Sequence, residues 1–246
     1  MDECKHYLVY LIFDRITGRF QLKIKDRESA GNILGETLKE ILKKEDRNNT
    51  LVLGIPRGGL IIAEIIARKL ACGLDLSIVK RLRSPHNEEL AIGAVTEDGT
   101  TFMNQLIIEE LKIPQEYIKG EISHQLQEIK RFTQLYNHKN KSSLERNAID
   151  FKNKTIVIVD DGAATGSTIT AAIRSVRKNM NPKRLIIAVP ISPKGTINIL
   201  NNEDIDQIEV ITSPRNSNFL SIEQYYQNFD QVTDKQVIDI IQRNLI

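Results

Sequence analysis

Residues 155–168 read TIVIVDDGAATGST, and the order of residue types in this stretch decides the fold. Residues 155–159 are β-branched, mainly apolar and too few for a helix, which predicts a buried strand. Asp160 and Asp161 end it. Gly162, Ala163, Ala164, Thr165 and Gly166 predict a tight loop, after which Ile169, Ala172, Ile173 and Val176 recur on one helical face. A small-residue loop that opens a helix turns backbone N–H groups towards one point, where the helix dipole favours negative charge, so it suits a phosphate. Thr165, Ser167 and Thr168 add hydroxyl donors at that point. The two carboxylates would repel a phosphate and need hydroxyls or a cation instead. A ribose 5-phosphate, with its phosphate at one end and a vicinal diol nearby, answers both demands.

Other phosphate-binding patterns fit less well. A Walker A loop ends in Gly-Lys-Ser/Thr, and no lysine follows Gly166. The dinucleotide fingerprint needs three glycines in G-x-G-x-x-G, and this loop holds Gly162 and Gly166 alone. Capping of the helix by the aspartates is the plain structural alternative. It leaves unexplained the strand before them and the loop after. The segment VDDGAATGST, residues 159–168, closely resembles the phosphoribosyl-diphosphate (PRPP) signature of the type I phosphoribosyltransferases. The resemblance implies that Asp160 and Asp161 hold the ribose 2′ and 3′ hydroxyls as the catalytic acids. It also implies that Gly162, Ala163, Ala164, Thr165, Gly166, Ser167 and Thr168 wrap the 5′-phosphate.

Working outward, residues 51–55 form another apolar run that enters Pro56, Arg57, Gly58 and Gly59, followed by a segment apolar on most sides, as in a helix packed deep against a sheet. GIPRGG is thus a second strand, loop and helix unit, with one arginine in the loop. Backbone N–H groups at Gly58 and Gly59, with the Arg57 guanidinium, would make a second anion site. In the resembled family this is the pyrophosphate loop, which often holds a cis peptide. Residues 74–79 predict a third strand, ending at Lys80, Arg81 and Arg83. Residues 84–89 carry Pro85 and predict a mobile loop, and residues 90–96 and 100–103 predict a hairpin turned at Asp98 and Gly99. A basic strand end, a flexible loop and a hairpin match the family's catalytic hood. By that match Lys80, Arg81 or Arg83 neutralises pyrophosphate, and His86 is expected to be a solvated loop residue.

The flanks carry less chemistry. Residues 7–13 and 19–24 predict an N-terminal hairpin that looks like an extension, spanning residues 1–24 ahead of a domain over 25–246. Residues 26–42 predict an amphipathic helix with Ala30, Leu34, Leu38 and Ile41 at helical spacing, capped by Asp26 or Ser29. Its DRxxAGxxL pattern, residues 26–34, resembles the opening helix of a subgroup of phosphoribosyltransferases known by prediction. Pro114 starts a long helical stripe through Ile118, Ile122, Gln125, Ile129, Phe132 and Tyr136, which packs on the core or on a second subunit, so a dimer is compatible. Lys139, Lys141, Lys152 and Lys154 lack an aromatic platform and read as a solvated connection, so no nucleic-acid partner is expected. Residues 185–191 and 207–212 predict two more strands, with a helix over 194–200 between them. Thr233 with Gln236 predicts a capping box opening the last helix. Phe219, Tyr225, Tyr226 and Phe229, also similar to that subgroup's tail, either close the core or cover a nucleobase site.

Composition sets the outer bounds. With 246 residues, 41% hydrophobic and 27% charged, the chain can bury one α/β core with a small lobe. A formal charge of +2, from 34 basic and 32 acidic residues, gives no drive towards nucleic acid or membrane. Cys4 and Cys72 are too few for a disulfide framework; with no secretion signal after Met1 and no spanning run, the cytoplasm is the expected compartment. The expected fold is α/β, a doubly wound and mostly parallel sheet, with a small hood from residues 80–104 and 214–246. The expected activity is PRPP-dependent transfer of a phosphoribosyl group to a nitrogen nucleophile with release of pyrophosphate. Mg²⁺ is the implied cofactor, touching Asp160 or Asp161 directly or through water. A non-catalytic PRPP or nucleotide sensor of the same fold is the alternative. Hypoxanthine and guanine enzymes of this family carry an aspartate where Ala164 stands, so the acceptor base stays open among the other nucleobases.

Overall fold

The computed structural model describes residues 9–14, 19–87, 90–136 and 151–244. Its centre is the predicted strand β8 (Thr155–Val159), every residue of which is buried. β8 lies between β3 (Thr50–Gly54) and β9 (Arg184–Ile191) in a five-stranded sheet completed by β4 (Gly73–Leu76) and β10 (Gln207–Thr212). The order is β10-β9-β8-β3-β4, and each pairing is parallel. Strands covered on both faces must be apolar on both. Val157 and Val159 of β8 accordingly pack with α1 (Arg27–Ile41) and α3 (Gly58–Leu70), while Ile156 and Ile158 pack with α6 (Ser167–Asn179). From β3 the chain steps outward to β4 and later returns to place β8 on the other side. The winding therefore reverses between β3 and β8, and the crevice at their carboxyl ends is where such sheets take ligands.

Local chemistry sets several element ends as expected. The Asp26 carboxylate accepts from the Ser29 N–H at 2.7 Å and starts α1. Thr233 and Gln236 form the predicted reciprocal box, at 2.9 and 3.2 Å, ahead of α8 (Asp234–Asn244). α7 (Lys194–Leu200) connects β9 to β10. The hairpin of β1 (Val9–Asp14) and β2 (Arg19–Ile24) is antiparallel; the residues predicted for it at 7 and 8 lie outside the described residues. Ile24, at its end, is fully buried and bridges to Tyr226.

The expected third strand over 74–79 is two strands. β4 stops at Leu76, and β5 (Val79–Arg83) begins a separate three-stranded antiparallel sheet with β6 (Ala91–Thr96) and β7 (Thr101–Met103). The Ser77 N–H still bonds to the Gly54 carbonyl at 3.0 Å, after which Ile78 pairs with Glu97. The change of partner at Ser77 leaves no mark on an unbroken apolar run. Lys80, Arg81 and Arg83 consequently lie on β5 and do not follow a strand of the main sheet. The second sheet shares one core with α6 through Val79 and Ala94, and another with α5 (Gln115–Tyr136) through Leu82, Ile92, Ile118 and Ile129. Gly99, at φ +80°, makes the predicted β6–β7 turn. Short helices α2 (Lys44–Asn48) and α4 (Gln105–Glu110) were not predicted. Of the predicted loop 84–89, residues 88 and 89 lie outside the described residues, as do residues 137–150 with Lys139 and Lys141. No helix among the described residues is long and apolar enough to cross a membrane.

Candidate active site

The loop after β8 is held from below. The Ala163 N–H donates to the Ile191 carbonyl at 2.8 Å, and Thr196 Oγ1 donates to the Ala164 carbonyl at 2.6 Å, so the ends of β9 and α7 fix its path. Gly166 takes the left-handed conformation, φ +78°, as the residue before α6. The Thr170 N–H bonds back to the Gly166 carbonyl at 2.8 Å, which leaves the first-turn N–H groups of α6 without intrahelical acceptors. Thr165 Oγ1 and Ser167 Oγ stand 3.0 Å apart beside them. This is a cluster of donors suited to an anion.

The loop after β3 approaches the acidic pair closely. The Pro56–Arg57 peptide is cis. A Cβ on Gly59 would lie 2.6 Å from the Asp160 Cα, and one on Gly58 would lie 1.9 Å from Asp161 Oδ2, so only glycine admits this contact. Arg57 Nε pairs with Asp234 Oδ1 at 3.1 Å, and its Nη1 donates to the Val232 carbonyl at 3.4 Å. Lys80 Nζ sits 3.7 Å from the centroid of the Phe132 ring, which also has the Arg57 guanidinium 6.0 Å away. Burial, and then the Arg57 charge, lower the Lys80 pKa from its ordinary value.

Sequence reasoning supplied the acids but missed what holds them. The Asp161 N–H donates to Asp160 Oδ1 at 2.8 Å. Arg27, the first residue of α1, places Nε and Nη2 each 2.8 Å from Asp161 Oδ2. The cation demanded by the acidic pair is therefore supplied at least in part by the chain itself. Burial, and then the adjacent Asp161 charge, push the Asp160 carboxyl well above the usual carboxylate range. Burial also raises Asp161, against the opposing pull of Arg27. The aspartate-arginine dipeptide that opens α1 was visible as a helix start. Its reach across 134 positions was not.

These parts line one cleft of about 1030 Å³. Arg57, Gly58, Lys80, Arg81, Arg83 and every residue from Asp160 to Thr168 border it, whereas Gly59 lies buried behind the loop. Gln125 of the predicted α5 stripe borders it too, as do His124 and Glu128, which carried no predicted role. His86 is exposed and is not among the lining residues. Of the tail aromatics, Tyr225 and Tyr226 are core residues, and Phe229 borders the cleft. No group of three or more histidine, cysteine or acidic side chains able to cage a metal occurs among the described residues. Paired carboxylates alone still fit Mg²⁺, which keeps waters and takes its remaining ligands from substrate phosphates.

A parallel α/β sheet with a donor loop, an acidic pair and an arginine loop at its switch point defines the class. The chain belongs to the phosphoribosyl transferase domain family, whose model matches residues 21–225. It is 30% identical over 218 residues to "Putative phosphoribosyl transferase Rv0571c" of Mycobacterium tuberculosis, covering 89% of this chain and 46% of the relative. The chain thus spans about half the length of the curated relatives it matches. The crystal structure of TT1426 from Thermus thermophilus is similar with a TM-score of 0.69 and 28% identity, covering 91% of this chain and 99% of that one. A shorter match, 45% identical over 60 residues, covers 24% of this chain and 29% of the transcriptional regulator GfcR of Methanosphaera stadtmanae.

Proposed function

We propose that the protein is a PRPP-dependent phosphoribosyltransferase, transferring the 5-phosphoribosyl group to a nitrogen nucleophile of nucleobase type with release of pyrophosphate. One observation carries this reading: the residues 162–168 loop, the acids Asp160 and Asp161, and the Arg57–Gly58 loop border a single cleft. The loop takes the 5′-phosphate, the acids take the diol, and Arg57 with Lys80, Arg81 and Arg83 faces the diphosphate. As the C1–oxygen bond to diphosphate breaks and the C1–nitrogen bond forms, positive charge builds on the sugar and negative charge on the leaving group. Fixed acids beside the ring and fixed cations beside the diphosphate stabilise both without reorganising. Asp160 and Asp161 would hold Mg²⁺, directly or through water, and the ion would supply positive charge that offsets the charge developing on the leaving group. Lys80, Arg81, Arg83, Ile222 and Phe229 border the cleft, which supports the reading of residues 80–104 and 214–246 as a hood.

The local likeness to a transcriptional regulator favours a second reading, a PRPP or nucleotide sensor without turnover. Release of pyrophosphate from Mg·PRPP across a panel of nucleobases separates the two. Turnover with a base supports the transferase, and tight binding without turnover supports the sensor. A protein that shows no binding and no turnover overturns both readings.

A further inference from the structure

Asp161 is held by segments remote from it in sequence. Two N–H groups of the Arg27 fork fall on the same oxygen, Oδ2, at 2.8 Å each. The third guanidinium nitrogen, Nη1, donates to the Asp230 carbonyl at 2.8 Å. The guanidinium carbon lies 3.8 Å from the centroid of the Phe229 ring, which packs against Tyr226 at 4.9 Å between centroids. Tyr226 in turn donates its hydroxyl to the Asp161 carbonyl at 3.0 Å. The Gln227 and Asn228 N–H groups bond to the Ile24 and Lys25 carbonyls, both at 2.9 Å, which ties this strap to the chain entering α1.

Each nitrogen of the guanidinium is therefore engaged by the protein, and the Arg27 side chain is only 11% exposed. A planar guanidinium fixed this way pins the position of Oδ2 from two set directions, which a lysine point charge would not. Because the fork falls on Oδ2, Oδ1 is the carboxylate oxygen that it leaves for other partners.

We propose that Arg27 is a positioning residue that sets the site's affinity for a sugar diol, orienting Asp161 through its fork and itself fixed by Phe229 and Asp230 of the C-terminal strap. The inference rests on the ribose phosphate reading above. It concerns the diol end of the ligand alone, so phosphate held by residues 162–168 should not sense it.

The test is calorimetry of the full chain with two probes, ribose 5-phosphate and inorganic phosphate. The wild type should bind ribose 5-phosphate the more tightly; equal binding would remove the ribose phosphate reading itself. Given that preference, Arg27→Ala should weaken ribose 5-phosphate about tenfold or more, with phosphate unchanged, and Arg27→Lys should recover part of the loss. In an Asp161→Asn background the same substitution should have little further effect, since Arg27 acts through that carboxylate. Should Arg27→Ala not fold, Arg27→Lys and Phe229→Leu carry the comparison, each with a several-fold loss confined to ribose 5-phosphate. An unchanged preference in the variants, or losses additive with Asp161→Asn, would overturn the role given to Arg27.

Discussion

A Cβ placed on Gly58 would stand 1.9 Å from Oδ2 of Asp161 and 2.7 Å from Nε of Arg27, so the Arg57–Gly58 loop and the acidic pair share one van der Waals surface. Gly58→Ala must displace one or the other. Overpacking of this kind costs about 1–3 kcal/mol. We expect the larger effect on ligand affinity. Thermal unfolding and PRPP titration, compared on the variant, check this; affinity retained at wild-type strength would mean that the carboxylate position is immaterial.

Arg57 is held by Asp234 and the Val232 carbonyl at the start of α8. Arg57→Ala should weaken binding of pyrophosphate by roughly one charge-assisted contact, about 1.5–3 kcal/mol, and affect ribose 5-phosphate less. Asp234→Asn should act in the same direction but more weakly, by loosening Arg57 without removing it. Competition titrations read both, and equal losses for the two ligands would contradict the assignment of Arg57 to the diphosphate end.

Asp98 joins the second sheet to α6. Although burial opposes ionisation, hydrogen bonds from Thr100, Thr96, Asn179 and Ser175 hold its carboxyl well below the ordinary value of 3.8. A carboxyl depressed on folding stabilises the protein above its unfolded pKa, and that contribution disappears as pH falls through the folded one. Asp98→Ala should therefore cost about 1–3 kcal/mol at neutral pH. The gap from wild type should narrow as acid is added below about pH 4. Denaturant melts at several pH values measure it; a gap independent of pH would mean that the carboxylate charge contributes nothing.

Burial pushes the Cys72 thiol from 9.0 up to about 12. At pH 8 it should carry about a thousandfold less thiolate than an exposed cysteine. Alkylation followed by peptide mass spectrometry should label Cys72 slowly in the native protein and quickly in urea. Cys72 is only half-buried, so rapid native labelling would contradict the raised thiol pKa.

What the sequence revealed divides by the range of the interactions. The β8 strand, its loop and α6 were legible because an apolar run, small residues and a helical period are neighbours in the chain. The Asp26 cap and the Thr233–Gln236 box were legible for the same reason, each acting over three positions. Arg27 was visible only as part of a helix start, because its partners Asp161 and Asp230 lie on distant elements. Phe132 read as one apolar position in the α5 stripe, yet its ring also faces Lys80 and Arg57. The break between β4 and β5 was hidden for a different reason: apolar spacing records burial and says nothing of which sheet provides it.

The most direct test of the central claim is calorimetric titration of Mg·PRPP into wild type and Asp161→Asn. One site per chain should saturate in the wild type, with the variant weaker by about 1.5–3 kcal/mol. Wild-type protein that binds no Mg·PRPP, or a variant that binds it equally well, would contradict the account.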